Sequence, residues 1–399
     1  MNIKDDSARF VAPAEPSLSL GVIGNCAFSA LIDVRGRIVW CCLPRFDGDP
    51  VFNALLQPGP NAPGSSSDEA AAGSSSFGIE IEDFAESRQW YEPNTAVLRT
   101  QLIDKAGQAI EITDFAPRYY RRSRFFRPMT LVRRVKPIQG APRIRVMLDV
   151  RFDWGRRQPL VTQGSNHLRF VGDSLTLRLN TDASLSHIMS GQPFVLSREH
   201  NFLLGADESL AEGIADTARM FEQETVAYWR KWSQSLHIPL EWQQAVIRAA
   251  ITLKLSLYED TGAIVAAMTT SIPEAPGSQR NWDYRYCWLR DAFFVVRALN
   301  SLSEVGTMED YLRWLSNVVV QAKGGHIQPL YGIGLEREMP ESVMEHLDGY
   351  RGMGPVRVGN QAQEHFQHDV YGNVVLGAAQ AFHDQRLLHR AGLAEFTRL

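Results

Sequence analysis

Arg280-Asn281-Trp282-Asp283-Tyr284-Arg285-Tyr286-Cys287-Trp288-Leu289-Arg290-Asp291 is the stretch on which the reading of this sequence turns. Four aromatic rings, three arginines and two carboxylates occupy its twelve positions. A sugar needs flat apolar surfaces for its C–H faces and bidentate charged groups for paired hydroxyls, and Trp and Tyr beside Arg and Asp supply both. A plainer purpose fits the same residues. Asp291 is a good N-cap for the helix that opens with Ala292-Phe293-Phe294-Val295-Val296, and the rings can be core. On chemistry alone the two readings stand side by side.

Around this stretch the apolar residues recur at helical spacing. Helices are predicted over Trp242–Tyr258, Ala292–Leu302, Met308–Gln321, Phe366–Phe382 and, as a stub, Gln385–Thr397. In the first of them Ala245, Val246, Ala249, Ala250, Leu253 and Leu257 form a wide stripe expected to be buried. The second half of the chain is therefore read as all-α. Its helices are joined by two long segments, Thr261–Arg290 and Lys323–Gln363, far beyond the roughly 2 to 8 residues usual between bundled helices. Long ordered loops on a helical scaffold are where binding residues tend to sit.

Upstream the pattern changes. From Ser17 to about Leu204, short β-prone runs alternate with turn residues: Phe28–Val34, Arg35-Gly36 and Arg37–Leu43 read as a hairpin. Further strands are expected at Ala96–Ile103, Ala109–Ile112, Met129–Val135, Arg143–Val150, Ser174–Leu179 and Phe194–Ser197. Turns are expected at Asp104–Gly107 and Gly140–Pro142. So many short strands favour a sandwich, since two stacked sheets bury their apolar faces. From Ser209 a linker helix is read through Leu210, Ile214, Ala218, Phe221 and Val226. The expected organisation is a β-sandwich domain over 1–208, a linker helix over 209–238 and a helical domain over 239–399. Gln57–Ser76, with its Ser and Ala triplets, reads as a surface loop.

At 399 residues the chain has room for two domains, and with 44% hydrophobic and 22% charged residues it is not a disordered one. A net charge of −4 with mixed signs offers no face for a run of phosphates, so nucleic acid is not an expected partner. Met1–Pro13 carries Lys4, Asp5, Asp6 and Arg9 and resembles no signal peptide, and no run of about 18 apolar residues suggests a membrane span. A cytoplasmic location is expected. Cys26, Cys41, Cys42 and Cys287 match neither a CxxC pair nor a zinc set and read as buried, reduced thiols. His365 and His368, three apart and beside Glu364, lack a suitably spaced third ligand, and no HExxH is present, so no metal is expected. Gly349–Gly359 lacks GxGxxG and a GxSxG elbow is absent, so neither a nucleotide nor serine hydrolase chemistry is indicated. No cofactor is implied.

Thr269-Thr270-Ser271-Ile272-Pro273-Glu274 followed by Arg280–Asp291 resembles the signature of glycoside hydrolase family 15. Leu18, Gly21, Ile23, Gly24 and Asn25, with Trp40-Cys41-Cys42-Leu43-Pro44-Arg45-Phe46-Asp47, resemble the N-terminal domain of its bacterial and archaeal, trehalase-like branch. Tyr331-Gly332-Ile333, Gly349-Tyr350-Arg351-Gly352, Pro355-Val356-Arg357-Val358-Gly359-Asn360 and Asp369-Val370-Tyr371-Gly372 resemble that branch's later segments. The resemblance implies a β-supersandwich followed by an (α/α)6 barrel. It implies an inverting, exo-acting hydrolase of terminal α-glucosidic bonds, with a small-molecule α-glucoside, trehalose or a maltooligosaccharide, as its partner. It also implies that Arg290 and Asp291 bind hydroxyls of the non-reducing-end glucose, with Tyr284 and Trp288 lining the same subsite.

Inverting hydrolysis needs one protonated carboxylic acid at the leaving oxygen and one carboxylate that activates water, roughly 6.5 to 9.5 Å apart. The resemblance places both after the Asp369–Gly372 segment, the acid in a Trp-Glu motif that the 27 residues following Gly372 do not contain. Both are expected past Leu399. The barrel is expected to be incomplete, the chain truncated and inactive as it stands, and some apolar helix faces uncovered. Glu336, Glu338, Glu341, Glu345 and Glu364 read as solvated loop charges rather than as substitutes. The alternative to an enzyme is a non-catalytic fragment that binds sugar or assembles with another chain.

Overall fold

The computed structural model describes residues 8–10, 17–57, 75–322, 325–384 and 386. The chain divides into two compact units, Met1–Lys231 with Tyr350–Gly352, and Trp232–Gly349 with Met353–Leu399. The predicted surface loop over Gln57–Ser76, apart from its ends, and the predicted Gln385–Thr397 helix, apart from Arg386, lie outside the described residues.

The first unit is built on two antiparallel sheets. The nine-stranded sheet runs in the order Ala8–Phe10, Phe84–Tyr91, Leu98–Asp104, Ala109–Phe115, Thr130–Gln139, His200–Ala206, Thr176–Thr181, His167–Val171 and Leu160–Gln163. The seven-stranded sheet places Phe194–Val195, Arg143–Asp149, Ser76–Ile81, Ile38–Cys42, Ser29–Ile32 and Gly21–Gly24 in line, with Pro50–Phe52 beside Ile38–Cys42. Leu98, Ile112, Leu131, Leu177 and Leu204 from the first sheet share one core with Ile23, Ile38, Phe77, Ile144 and Val146 from the second. The expected hairpin is present: Ser29–Ile32 pairs with Ile38–Cys42, and Asp33 closes the turn by accepting the N–H groups of Arg35 and Arg37. Asp104 closes the next expected turn in the same way, accepting from Ala106 and Gln108.

Helix α1 spans Leu185–Ser190 and was not indicated by periodicity; it ends on Gly191 in the left-handed region. Helix α2 spans Ile214–Gln234. Its Ala218 and Phe221 cover the outer face of the larger sheet at Val97, Phe115, Val132 and Leu203. That sheet is thus apolar on both faces here, which explains adjacent apolar pairs such as Leu131-Val132 and Leu203-Leu204 where a one-sided sheet would alternate.

Among the described residues the second unit is carried by four helices: α3 at Gln243–Leu255, α4 at Leu289–Ser301, α5 at Gly306–Gln321 and α6 at Asp369–His383. Helix α4 packs against the other three. It buries Leu289, Ala292, Phe293, Val296 and Leu299, a stripe at i, i+3, i+4, i+7 and i+10. The predicted stripe on α3 is corrected. Ala250, Ile251, Lys254 and Leu255 are the buried positions, whereas Ala245 and Ala249 are exposed. The reason is electrostatic: Lys254 points inward to Glu259 at 3.3 Å and Glu304 at 3.4 Å, which turns the helix. Phe294, Val320, Val375 and Leu376 are exposed on α4, α5 and α6.

The all-α reading of this half also needs correction, because the two long connections are organised by short ladders. Leu257–Tyr258 pairs with Ala263–Ile264, Cys287–Trp288 with Leu330–Tyr331, and Ser342–Val343 with Arg357–Val358. No helix among the described residues is long and apolar enough to cross a membrane. All four cysteines are buried.

Candidate active site

The signature stretch is one arm of an irregular hairpin. Ala266 and Ala267 donate their N–H groups to the carbonyls of Tyr286 and Tyr284, Ser271 donates to Trp282, and Glu274 donates to Arg280. Thr270 and Asp283 form an isolated bridge. An extended arm sends successive side chains to opposite sides, and this sequence uses that period fully. Asn281, Asp283, Arg285 and Cys287 have no solvent exposure. Trp282, Tyr284, Tyr286 and Trp288 alternate with them and form an aromatic row.

The polar row is a strut. Arg285 pairs with Asp283 through two hydrogen bonds, 2.9 Å from Nε to Oδ1 and 2.7 Å from Nη2 to Oδ2. Asp283 also accepts the Gly359 N–H through Oδ2, and its backbone carbonyl accepts from Asn360 Nδ2. Asn281 Nδ2 donates to the carbonyls of Met353 and Pro355. Thr270 Oγ1 donates to the carbonyl of Arg357, whose N–H donates to Ser271 Oγ at 2.7 Å. Buried charge is tolerated because each group is paired and hydrogen-bonded.

The aromatic row leads to the helix start. Tyr286 and Trp288 pack with Leu330 and Met339, and Tyr284 lies 6.2 Å from Trp288 between ring centroids. The Cys287–Trp288 ladder fixes where α4 begins, and Leu289 donates its N–H to the Pro329 carbonyl. Helix α4 therefore starts at Leu289 with Trp288 at its N-cap and no side-chain cap. The expected capping role of Asp291 is corrected on this ground. It stands in the first turn, where its charge complements the helix dipole.

All four sequence-predicted site residues come together at this point. Arg290 Nη2 donates to Asp291 Oδ2 at 3.1 Å, with 48% and 40% of the two side chains exposed. The Arg290 guanidinium lies 5.5 Å above the centre of the Trp288 ring. Trp288 is itself only 8% exposed, so it supports Arg290 more than it offers an open face. Burial, then the Glu274 and Asp291 carboxylates, push the Tyr284 phenol above its ordinary value and keep it a donor at neutral pH. Burial pushes the Cys287 thiol up to about 12, which makes it inert.

Arg357 was not singled out from the sequence. It pairs with Glu341 at 2.6 Å, and its guanidinium lies 5.1 Å from the centre of the Trp282 ring. Its neighbours in the chain, Val356 to Asn360, were the available signal. Of the five loop carboxylates expected to be solvated, Glu336, Glu338, Glu345 and Glu364 are exposed, and Glu341 is corrected: it is half-buried and held by Arg357. His365 and His368 are exposed and both precede α6, which begins at Asp369 rather than at the predicted Phe366. Among the described residues no group of three His, Cys, Asp or Glu side chains is placed to hold a metal.

Residues 242–396 match the family model of the glycosyl hydrolases family 15. The chain is 29% identical over 368 residues to a trehalase of Thermoplasma volcanium, covering 89% of this chain and 55% of that protein. A trehalase of Mycolicibacterium smegmatis is 29% identical over 399 residues, with 91% and 56% covered. Trehalase 1 of Sulfolobus acidocaldarius is 29% identical over 367 residues, with 89% and 58% covered. The chain thus spans a little over half the length of these relatives.

Proposed function

We propose that this chain supplies the sugar-holding wall of an inverting, exo-acting α-glucoside hydrolase directed at trehalose. Arg290 and Asp291 engage vicinal hydroxyls of the non-reducing-end glucose, Tyr284 donates its phenol O–H, and Trp288 holds Arg290 in place. The observation that carries this is the half-exposed Arg290–Asp291 pair, fixed at the start of α4 by the Trp288 ring and the ladder behind it. A charged pair held in one geometry before the sugar arrives loses little freedom on binding it. The preference for trehalose over maltooligosaccharides is supported by the names of the relatives. We assign the general acid and base to none of the described residues, because the loop glutamates are exposed or, at Glu341, ion-paired to Arg357.

In this reading 1–208 is a supersandwich, 209–238 a linker and 239–399 the opening part of an (α/α)6 barrel, which four successive helices joined by ordered loops support. We place the reaction in the cytoplasm, in keeping with a chain whose helices are all too short or too polar, among the described residues, to cross a membrane. Calorimetric titration of the 399-residue chain with trehalose and with maltose tests the assignment. Trehalose is expected to bind, with Asp291→Ala weakening it at least tenfold while leaving the thermal midpoint within a few degrees. Equal affinity in parent and variant would refute the role of Asp291. Glucose release by this chain, abolished in Asp291→Ala, would place an acid and base within it.

A further inference from the structure

A concave surface lies wholly within the β-rich unit. It is a groove of about 700 Å³ bounded by the Leu43–Asp49 loop, the Phe152–Gln158 loop and the Val171–Leu175 turn. Its size falls in the range that holds a small ligand, roughly 300 to 1,000 Å³. Arg157 stands between two carboxylates in its wall, pairing with Asp173 and lying 3.7 Å from Asp153. Asp49 lies on the opposite loop, and the half-buried Phe152 ring contributes an apolar surface.

The wall is built rather than incidental. Asp153, Trp154 and Gly155 are three successive residues in the left-handed region, with φ of 50°, 57° and 93°. Two of them carry side chains that disfavour it, and such backbone persists only where its surroundings hold it. Trp154 does the holding: its ring is buried 6.4 Å from Trp40, and its carbonyl accepts from Asn53 Nδ2. This contorted loop sets Asp153 beside Arg157. On the facing turn a Cβ at Gly172 would stand 2.8 Å from the Phe152 ring, so glycine there is what lets the ring lie flat.

The Asp153 and Asp173 carboxylates on either side of Arg157 disfavour an anionic ligand. An acceptor-donor-acceptor row beside an aromatic ring instead suits a neutral polyhydroxylated one, the chemistry of the Arg290–Asp291 pair over Trp288 repeated on a different element. We propose that this groove is an accessory carbohydrate-binding site, with Arg157, Asp153 and Asp173 taking the hydroxyls of an α-glucan chain and Phe152 its C–H face. For its ligand class the inference rests on the α-glucoside reading above.

The test is titration of the full chain with maltotriose in an Asp291→Ala background, followed by calorimetry and by tryptophan fluorescence, which Trp154 beneath the groove should report. Binding is expected to survive Asp291→Ala and to fall tenfold or more when Arg157→Ala or Asp173→Asn is added. Asp173 is 80% exposed at its side chain, so its replacement keeps the comparison valid even if Arg157→Ala perturbs the loop. Absence of maltotriose binding in the Asp291→Ala chain, or affinities within twofold across the groove variants, would overturn the proposal. Groove binding that persists while Asp291 proves irrelevant to trehalose would sink the reading of the Arg290–Asp291 site and sustain this one.

Discussion

Arg285 and Asp283, two positions apart on one face of an extended arm, form a bidentate ion pair that no solvent reaches. Five residues further on, Arg290 and Asp291 form a pair that is nearly half exposed. The same two residue types in one twelve-residue stretch therefore do opposite work. The first pair ties the hairpin to Gly359 and Asn360, and the second faces outward, where a ligand can reach it.

That contrast sets the first prediction. Asp283→Ala leaves the Arg285 guanidinium buried and uncompensated, which costs about 3 to 5 kcal/mol. Asp291→Ala removes only a favourable charge in the first helical turn, worth about 0.3 to 1 kcal/mol. Urea unfolding followed by circular dichroism should show a large fall in midpoint for Asp283→Ala and a small one for Asp291→Ala. Similar midpoints would contradict the division of labour.

The second prediction concerns acid. Burial by itself would raise the Glu304 carboxyl, but the Lys254 ammonium, with the Thr307 hydroxyl and N–H, outweighs it and holds the group below its ordinary value. A depressed carboxylate contributes stability that is present above its unfolded value, about 4.3, and is lost as pH falls through the lower folded one. The helical unit should therefore lose stability below about pH 4, and Glu304→Gln, already lacking the charge, should show a flatter acid limb. An unchanged slope would rule out this contribution.

Thiol accessibility supplies the third. All four cysteines are buried, and burial holds Cys41 and Cys287 well above the ordinary thiol range. At pH 8 Cys41 and Cys287 should resist iodoacetamide in the native chain and be alkylated once it is unfolded in urea. Rapid labelling of the native protein, read by mass spectrometry, would contradict the packing around Cys287.

Much of the architecture was legible because it follows simple periods. The Asp33–Arg37 turn announced its hairpin through Arg35-Gly36, and Met308–Gln321 lay within two residues of α5. Phe84–Tyr91 escaped notice because Phe-Ala-Glu-Ser-Arg-Gln-Trp-Tyr is polar and half-exposed, and its place in the sheet comes from its neighbours on either side. The start of α4 was misplaced by three residues because a ladder with Leu330–Tyr331, remote in sequence, decides it. Within the site, the residue types were readable and the four chosen positions do meet. The alternation of Asn281, Asp283, Arg285 and Cys287 with four aromatic residues was also in the sequence. Charged residues on the buried side obscured it, since they are stable there only through loop carbonyls and N–H groups some 70 residues away.

The most direct test of the central claim is to follow the indole N–H resonance of Trp288 by 15N NMR during titration with trehalose. Trp288 lies under Arg290, so sugar held by Arg290 and Asp291 must alter its surroundings. The account predicts a saturable shift of that resonance, abolished in Asp291→Ala. A Trp288 resonance that stays fixed while trehalose binds, or one that shifts equally in the variant, would contradict it.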